Sequence, residues 1–248
     1  MKRKEKKRKK KRISLWVKLL LMVAVCTGLY FFASSSYFNV TSFQVEGSTY
    51  YSEDEILTMG NCKTGENIFW GSGLADIKDR LEKDPYMAKV RIKRILPDKI
   101  KIEITERTQI GAVVYGDNYV VIDKDENVLR KTAVEPQLTL IKGLTISKIE
   151  VGQPIEVEEK VQMRQIMDMI VSMNESDMYF KSIEISEAGV KAYVLDYLVC
   201  VGTPQNITQA METGNLQKVI RGLFDINIER GTVKVSGDDY ISFSPAFD

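Results

Sequence analysis

Histidine is absent from all 248 residues. That excludes Ser-His-Asp and Cys-His nucleophile systems, imidazole zinc sites and histidine acid–base work. Carboxylates are what remains for catalysis, and three groupings stand close enough to be considered: Glu53-Asp54-Glu55, Asp123 with Asp125, and Asp238-Asp239. A pair of carboxylates facing a sugar can run a glycosidase. The first grouping, however, follows Ser52 in an S-x-x-E capping box, which places it in a helix first turn, where acids complement the dipole. Both aspartate pairs fall in turn-forming stretches, where such residues bond their own backbone. Met163 and Met167 share a helix face with no Cys or His nearby, so they fill a core rather than ligate a soft metal. Gly71-Ser72-Gly73 leads into a helix without the spacing of a phosphate cradle. No Walker loop, G-x-S-x-G elbow or S-x-x-K is present. The residues therefore predict a protein that is not an enzyme and holds no cofactor or metal.

The elements around these residues begin with a basic head. Residues 2–12 read KRKEKKRKKKR, and residues 13–33 read ISLWVKLLLMVAVCTGLYFFA, apolar but for Lys18. A block this basic resists translocation and predicts a cytoplasmic tail over 1–12. At about 1.5 Å per residue the apolar stretch reaches roughly 31 Å, enough for a bilayer core of about 30 Å. Lys18 lies near the cytoplasmic end, where it can snorkel. A cleaved signal peptide is the competing reading, since Ala33, Ser34 and Ser35 are small. Against it, Tyr30, Phe31 and Phe32 crowd the end of the run and Tyr37-Phe38 follow as an interfacial pair. The basic run could also be a nucleic-acid arm, but the span directly after it favours a topology signal.

Charge separates the two parts. Residues 1–33 carry eleven of the 35 basic residues and one of the 34 acidic ones. The exported remainder keeps 24 basic and 33 acidic residues, a net of −9. That balance argues against a nucleic-acid-binding ectodomain. Cys26, Cys62 and Cys200 make no disulfide framework, so the exported domains must stand on their cores. Low cysteine use points to a bacterial exported protein.

Beyond a linker at 34–37, residues 40–46 (VTSFQVE) alternate and stop at Gly47, as a strand does. Ser52 caps one helix. Ser72 caps a second, with Leu74, Ile77 and Leu81 on one face and Asp84-Pro85 after it. Val90 and Ile92, then Ile100, Ile102 and Ile104, alternate with charges on either side of Leu96-Pro97-Asp98, predicting a hairpin with one wet face. The texture then changes to short strands, at 112–115, 119–123 and 127–130. A long helix is expected over 156–173, strands over 182–186 and 190–201, and a helix over 206–221 weakened by Gly214. Two closing strands follow, 232–236 and 240–244. The fold class is α+β: a single transmembrane helix, a β-α-α-β-β domain, and a mixed α+β domain with an antiparallel sheet.

Taken in order, these segments resemble the bacterial FtsQ/DivIB cell-division family across essentially the whole chain. The likeness of the first domain to the POTRA fold rests on Phe43-Gln-Val45-Glu-Gly47 (F-x-V-x-G) and on Gly65-Glu-Asn-Ile-Phe69. It continues through Asp84-Pro-Tyr-Met87 and Leu96-Pro97 to Ile100-Lys-Ile-Glu-Ile-Thr-Glu-Arg107. Val120-Val-Ile-Asp-Lys-Asp125 and Phe243-Ser-Pro245 resemble the opening hairpin and closing strand of the family's β domain. Leu96 stands where the family often has Trp. Residues 108–112 and 138–143 lack prolines common there.

The resemblance implies a tail at 1–12, a span at 13–33, a POTRA domain at 38–107, a β domain at 108–245 and a C-terminal tail at 246–248. It implies a non-enzymatic scaffold at the division septum. Its partners would be FtsB/DivIC-like and FtsL-like bitopic coiled-coil proteins, the septal peptidoglycan synthase complex and the membrane, with no nucleic acid. The partner strand would add to Tyr240, Ile241, Ser242 and Phe243, with Val233 and Val235 on the neighbouring strand. A membrane-anchored cell-wall hydrolase using carboxylates is the enzymatic alternative. A barrel-bearing outer-membrane POTRA protein does not fit the length.

Overall fold

A computed structural model describes residues 15–186, 189–237 and 240–246. Residues 1–14, with the basic head, Glu187-Ala188, Asp238-Asp239 and residues 247–248 lie outside the described residues. The chain divides into two compact units, Met1–Leu81 with Val90–Ile104 and Glu82–Lys89 with Thr105–Asp248. Helix α1 (Leu15–Ala33) belongs to the first and has no buried residue. Its 19 residues give roughly 28 Å of apolar helix at about 1.5 Å per residue, long enough to cross a membrane.

In the first unit, β1 (Ser42–Glu46) runs parallel to β3 (Lys99–Glu106), which β2 (Met87–Ile95) flanks on its other side. Ile100 and Ile102 of β3 are buried with Val90 of β2, as the alternation requires. Helices α2 (Glu53–Gly60) and α3 (Leu74–Leu81) add Ile56, Ile77 and Leu81 to that core. The capping box forms: Glu55 accepts the Ser52 amide at 2.8 Å, while the Glu55 amide donates to the Ser52 hydroxyl. The Ser52 hydroxyl also donates to the Glu55 carboxylate at 2.7 Å, and that bond first, then the one from the Ser52 amide, lowers the Glu55 pKa. Ser72 does not cap α3. Its hydroxyl donates back to the Ile68 carbonyl at 3.1 Å, and Gly73 accepts the first helical bond instead. Gly47, the glycine of F-x-V-x-G, has φ +87°, and a Cβ there would lie 2.1 Å from the Ile104 carbonyl oxygen. Only glycine lets the chain leave β1 that close to β3.

The second unit is a nine-stranded sheet covered by helices on one face. Strands β4 (Gly111–Tyr115), β5 (Asn118–Ile122) and β6 (Val128–Thr132) form an antiparallel meander. Strands β10 (Ser182–Ser186), β11 (Gly189–Tyr193) and β12 (Leu198–Gly202) form another. Strand β7 (Thr139–Lys142) joins the two meanders by parallel ladders to β4 and β10. Strand β13 (Gly231–Val235) is parallel to β12, and β14 (Ile241–Pro245) antiparallel to β13. The expected antiparallel pairing thus holds inside each hairpin. The joins are parallel where the chain crosses over, through α4 (Lys160–Glu175) before β10 and through α5 (Pro204–Glu212) and α6 (Asn215–Asp225) before β13.

Three boundaries differ from the sequence expectation. The run 190–201 is two strands, because Val194 and Leu195 donate to the Leu198 carbonyl in a tight turn. The helix expected over 206–221 is two helices, broken at Gly214 with φ +74°. The long helix starts at Lys160 rather than 156, because Glu156–Val157 forms β9, paired with β8 (Ile146–Lys148). Glu159 then holds the helix start by accepting the Thr145 amide and hydroxyl, each at 2.8 Å.

Met163, Ile166, Met167 and Ile170 of α4 are all buried, as their spacing demands. Ile207 and Met211 of α5, Leu216 and Ile220 of α6 and the inward residues of the sheet join the same cluster. The opposite face carries a small buried apolar set, Ala112, Val121 and Leu140, with Val114, Tyr119 and Leu138 packed against it. Asp123, buried at the β5–β6 turn, accepts the amides of Asp125 and Asn127 at 2.9 and 2.8 Å, and Arg107 Nη1 at 2.8 Å.

Replacing Asp123 by Ala strands Arg107 and two amides. The urea midpoint of the 34–248 fragment should then fall by the equivalent of about 3–5 kcal/mol, and a loss below about 1 kcal/mol would show the pair to be peripheral. Burial pushes the Cys200 thiol up to about 12 and the half-buried Cys62 thiol up to about 11. Alkylation of the folded fragment at neutral pH should therefore spare Cys200 until global unfolding.

Candidate functional site

The terminal strands divide the expected partner-binding residues into three groups. Val233 and Val235 are 0% and 2% exposed and sit in the helix-covered core, so their side chains reach no partner. Phe243 and Ile241, opposite them in the register, are partly buried and pack on that same core. Tyr240 precedes β14 and is 78% exposed. Ser242 is exposed and projects to the helix-free face beside Lys234. The aromatic pair is therefore split: Phe243 finishes the core, and Tyr240 stands in solvent.

What β14 offers is its backbone. It is the last strand in the sheet order and, among the described residues, pairs with β13 alone. The Ser236 amide donates to the Tyr240 carbonyl at 3.0 Å, which sets the phase of the ladder. Alternation makes Lys234–Ser242 and Thr232–Ser244 the hydrogen-bonded pairs and leaves Val235–Ile241 and Val233–Phe243 unbonded. Gly231 agrees with this phase, because its amide turns away to the Tyr197 carbonyl at 2.9 Å. The N–H and C=O of Ile241 and Phe243 therefore point outward. Pro245 shares their phase, so its missing N–H costs the sheet no bond.

Phe243 is locked by a glycine. Gly231 has φ +140°, and a Cβ there would stand 2.5 Å from the Phe243 ring. At the other end of the sheet, β6 is partly closed, since Val128 exchanges bonds with Gly152 and Gln153 at 2.8 and 2.9 Å. The β14 edge has no such cover among the described residues.

Of the carboxylates expected in turns, Asp123 and Asp125 are found there. Asp123 spends its oxygens on the Asx turn and Arg107, and Asp125 supplies one of the amides it accepts. Asp238 and Asp239 lie outside the described residues. No cluster of metal-ligating side chains occurs among the described residues.

A surface missed from sequence lies on the helix-free face: a cleft of about 510 Å³ whose lining includes Tyr119, Lys181, Glu184, Tyr193 and Asp196. Burial, followed by the hydroxyl's bond to Glu184 at 3.2 Å, raises the Tyr193 pKa. The period-2 alternation of β10 and β11 signals the side Glu184 and Tyr193 face, but nothing local announces that no helix covers it.

Residues 38–107 match the family model of the POTRA domain, FtsQ-type. The chain is similar to the cell division protein DivIB of Clostridium acetobutylicum, 28% identical over 226 residues and 87% of each chain. It is 24% identical to DivIB of Clostridium botulinum strain Hall over 93% of each. The cell division protein FtsQ of Syntrophotalea carbinolica is 33% identical over 113 residues, 46% of this chain and 39% of that one.

The ladder phase makes a sharp prediction for hydrogen exchange in the isolated 34–248 fragment. The amides of Ser242 and Ser244 should be protected, and those of Ile241 and Phe243 should exchange as freely as loop amides. The reverse pattern would place the free groups on the wrong residues.

Proposed function

We propose, for a chain that belongs to the FtsQ/DivIB family of cell division proteins, that it is a bitopic scaffold of the division machinery and not an enzyme. The basic head stays in the cytoplasm, α1 spans the cell membrane, and both folded units work outside it at the division septum. The POTRA domain, 38–107, serves recruitment, and the β domain, 108–245, carries the main partner site. The partners are small bitopic coiled-coil proteins of the FtsB/DivIC and FtsL kind, through which the chain helps control septal peptidoglycan synthesis.

The observation that carries this reading is the uncovered main-chain edge of β14. An extended partner segment added there would bond to the two amides and the carbonyls of Ile241, Phe243 and Pro245. At roughly 0.5–1.5 kcal/mol net per bond, such a ladder supplies several kcal/mol, and exposed Tyr240 offers an aromatic anchor beside it. The hydrolase alternative is weakened by Asp123, whose lone pairs are committed to a turn and an arginine. A lytic pair would have to come from other acids.

Full-length protein in native membranes tests the reading. Ile241→Pro removes an outward N–H at the first position of β14, where proline is tolerated best, and Tyr240→Ala removes the exposed ring. Each should cut recovery of small single-span coiled-coil proteins by about tenfold or more, the equivalent of about 1.4 kcal/mol. Cys200 should remain protected, which reports that the fold survives. Undiminished recovery with both variants would move the partner site off this edge.

A further inference from the structure

Three segments of the first unit converge where α1 ends. Residues 38–40 exchange main-chain bonds with 65–68: Val40 with Glu66 at 2.9 Å, Gly65 with Val40 at 2.8 Å and Ile68 with Phe38 at 2.9 Å. The parallel register of β1 on β3 sets Ser42 beside Lys99, so the β2–β3 turn lies at this same end. The Thr41 amide closes the join by donating to the Asp98 carbonyl at 2.8 Å. The helix itself is tied in. Asn67 Nδ2 donates to the Ala33 carbonyl at 2.8 Å, satisfying one of the acceptors that a helix C-terminus leaves open.

The side chains at this end are not those of a water-facing tip. Trp70 is 63% exposed, Leu96 57% and Tyr37 65%. Trp70 stands 5.9 Å, ring to ring, from Tyr30, which is three residues inside the helix end, about 4.5 Å in axial rise. Phe38 and Phe69 pack 5.3 Å apart beneath, and Phe38 meets Phe32 of the helix at the same distance. Exposed Arg94 and Lys99 flank Leu96, and Arg94 braces the loop by donating to the Ile68 carbonyl at 2.7 Å. Glu66 is the exposed acid of the loop. In water, a large exposed apolar end is a liability. At a bilayer surface, a Trp at headgroup depth with basic residues beside it is the usual composition.

We propose that this end of the first unit is a lipid-binding surface: Trp70 and Leu96 insert into the outer leaflet interface, and Arg94 and Lys99 meet lipid phosphates. The proposal rests on α1 spanning the membrane. The occupant is phospholipid, because the aromatic contact to Tyr30 fixes Trp70 at the depth where the helix itself leaves the bilayer. The unit is then seated on the membrane and does not hang from a tether.

The chain has two tryptophans, Trp16 and Trp70, which allows each to be read alone. Full-length Trp16→Phe and Trp70→Phe proteins are reconstituted in phosphatidylcholine–phosphatidylglycerol vesicles, with bromine on acyl carbons either near the headgroup or near the chain end. Trp70 should lose fluorescence to a degree comparable with Trp16, and more to headgroup-proximal bromine than to the deep label. Arg94→Glu with Lys99→Glu should reduce the loss at Trp70 and leave that at Trp16 unchanged. Quenching of Trp16 without Trp70 would overturn the seat while the span stands, and would leave Trp70 as a surface for a partner protein. Quenching of neither would remove the span and the seat together.

Discussion

The hydrogen-bond ladder of an open sheet is the constraint on which the second unit depends. Every interior strand satisfies both neighbours, so the cost of unpaired amides and carbonyls is pushed to the two outermost strands. At β6 the chain spends part of a loop to cover Val128. At β14 no such cover occurs among the described residues, and a proline closes the strand. Among the described residues, the outer edge of β14 is the one place where the ladder of this sheet is left without a cover.

The ladder can end that way because the core does not rely on it. Three helices lie on one face, and the buried side chains of β13 keep Val233 and Val235 inside whether or not β14 has a further neighbour. Phe243, held over Gly231, pins β14 to that core from the same side. The strand is thus firmly attached along one edge, and no described residue pairs with the other. Firm attachment lowers the ordering cost of a strand-addition site.

Much of this was legible in the residues. The S-x-x-E box, the alternation of Ile100, Ile102 and Ile104, and the spacing of the α4 methionines each express one local rule, and each appears as the rule requires. The failures share a cause. Val194-Leu195-Asp196-Tyr197 turns without Gly or Pro, so an apolar run concealed a hairpin. Residues 156–159 have acceptable helical composition, but the tertiary pairing of β9 with β8 outweighs it. At the edge, alternation identified the faces of β13 and β14 but could not say which face the helices would cover. Val233 and Val235, expected on the strand next to the partner-binding edge, have their side chains in the core. Ladder phase is read from individual bonds, those of the Ser236 and Gly231 amides, and no composition reveals it.

The parallel pairing of β1 with β3 has a mechanical consequence. The chain enters β1 from residues 34–41, which follow α1, and leaves β3 toward Arg107, so the two connections emerge from opposite ends of adjacent parallel strands. Traction applied through those connections loads the register from Ser42–Lys99 to Glu46–Glu103 in shear, all positions at once. A hairpin pulled from its open end would yield one bond at a time. Glu46 and Lys101, 2.8 Å apart across the two strands, lie within that sheared register. In the first unit, a pull along the chain would meet the β1–β3 ladder in shear and not by peeling.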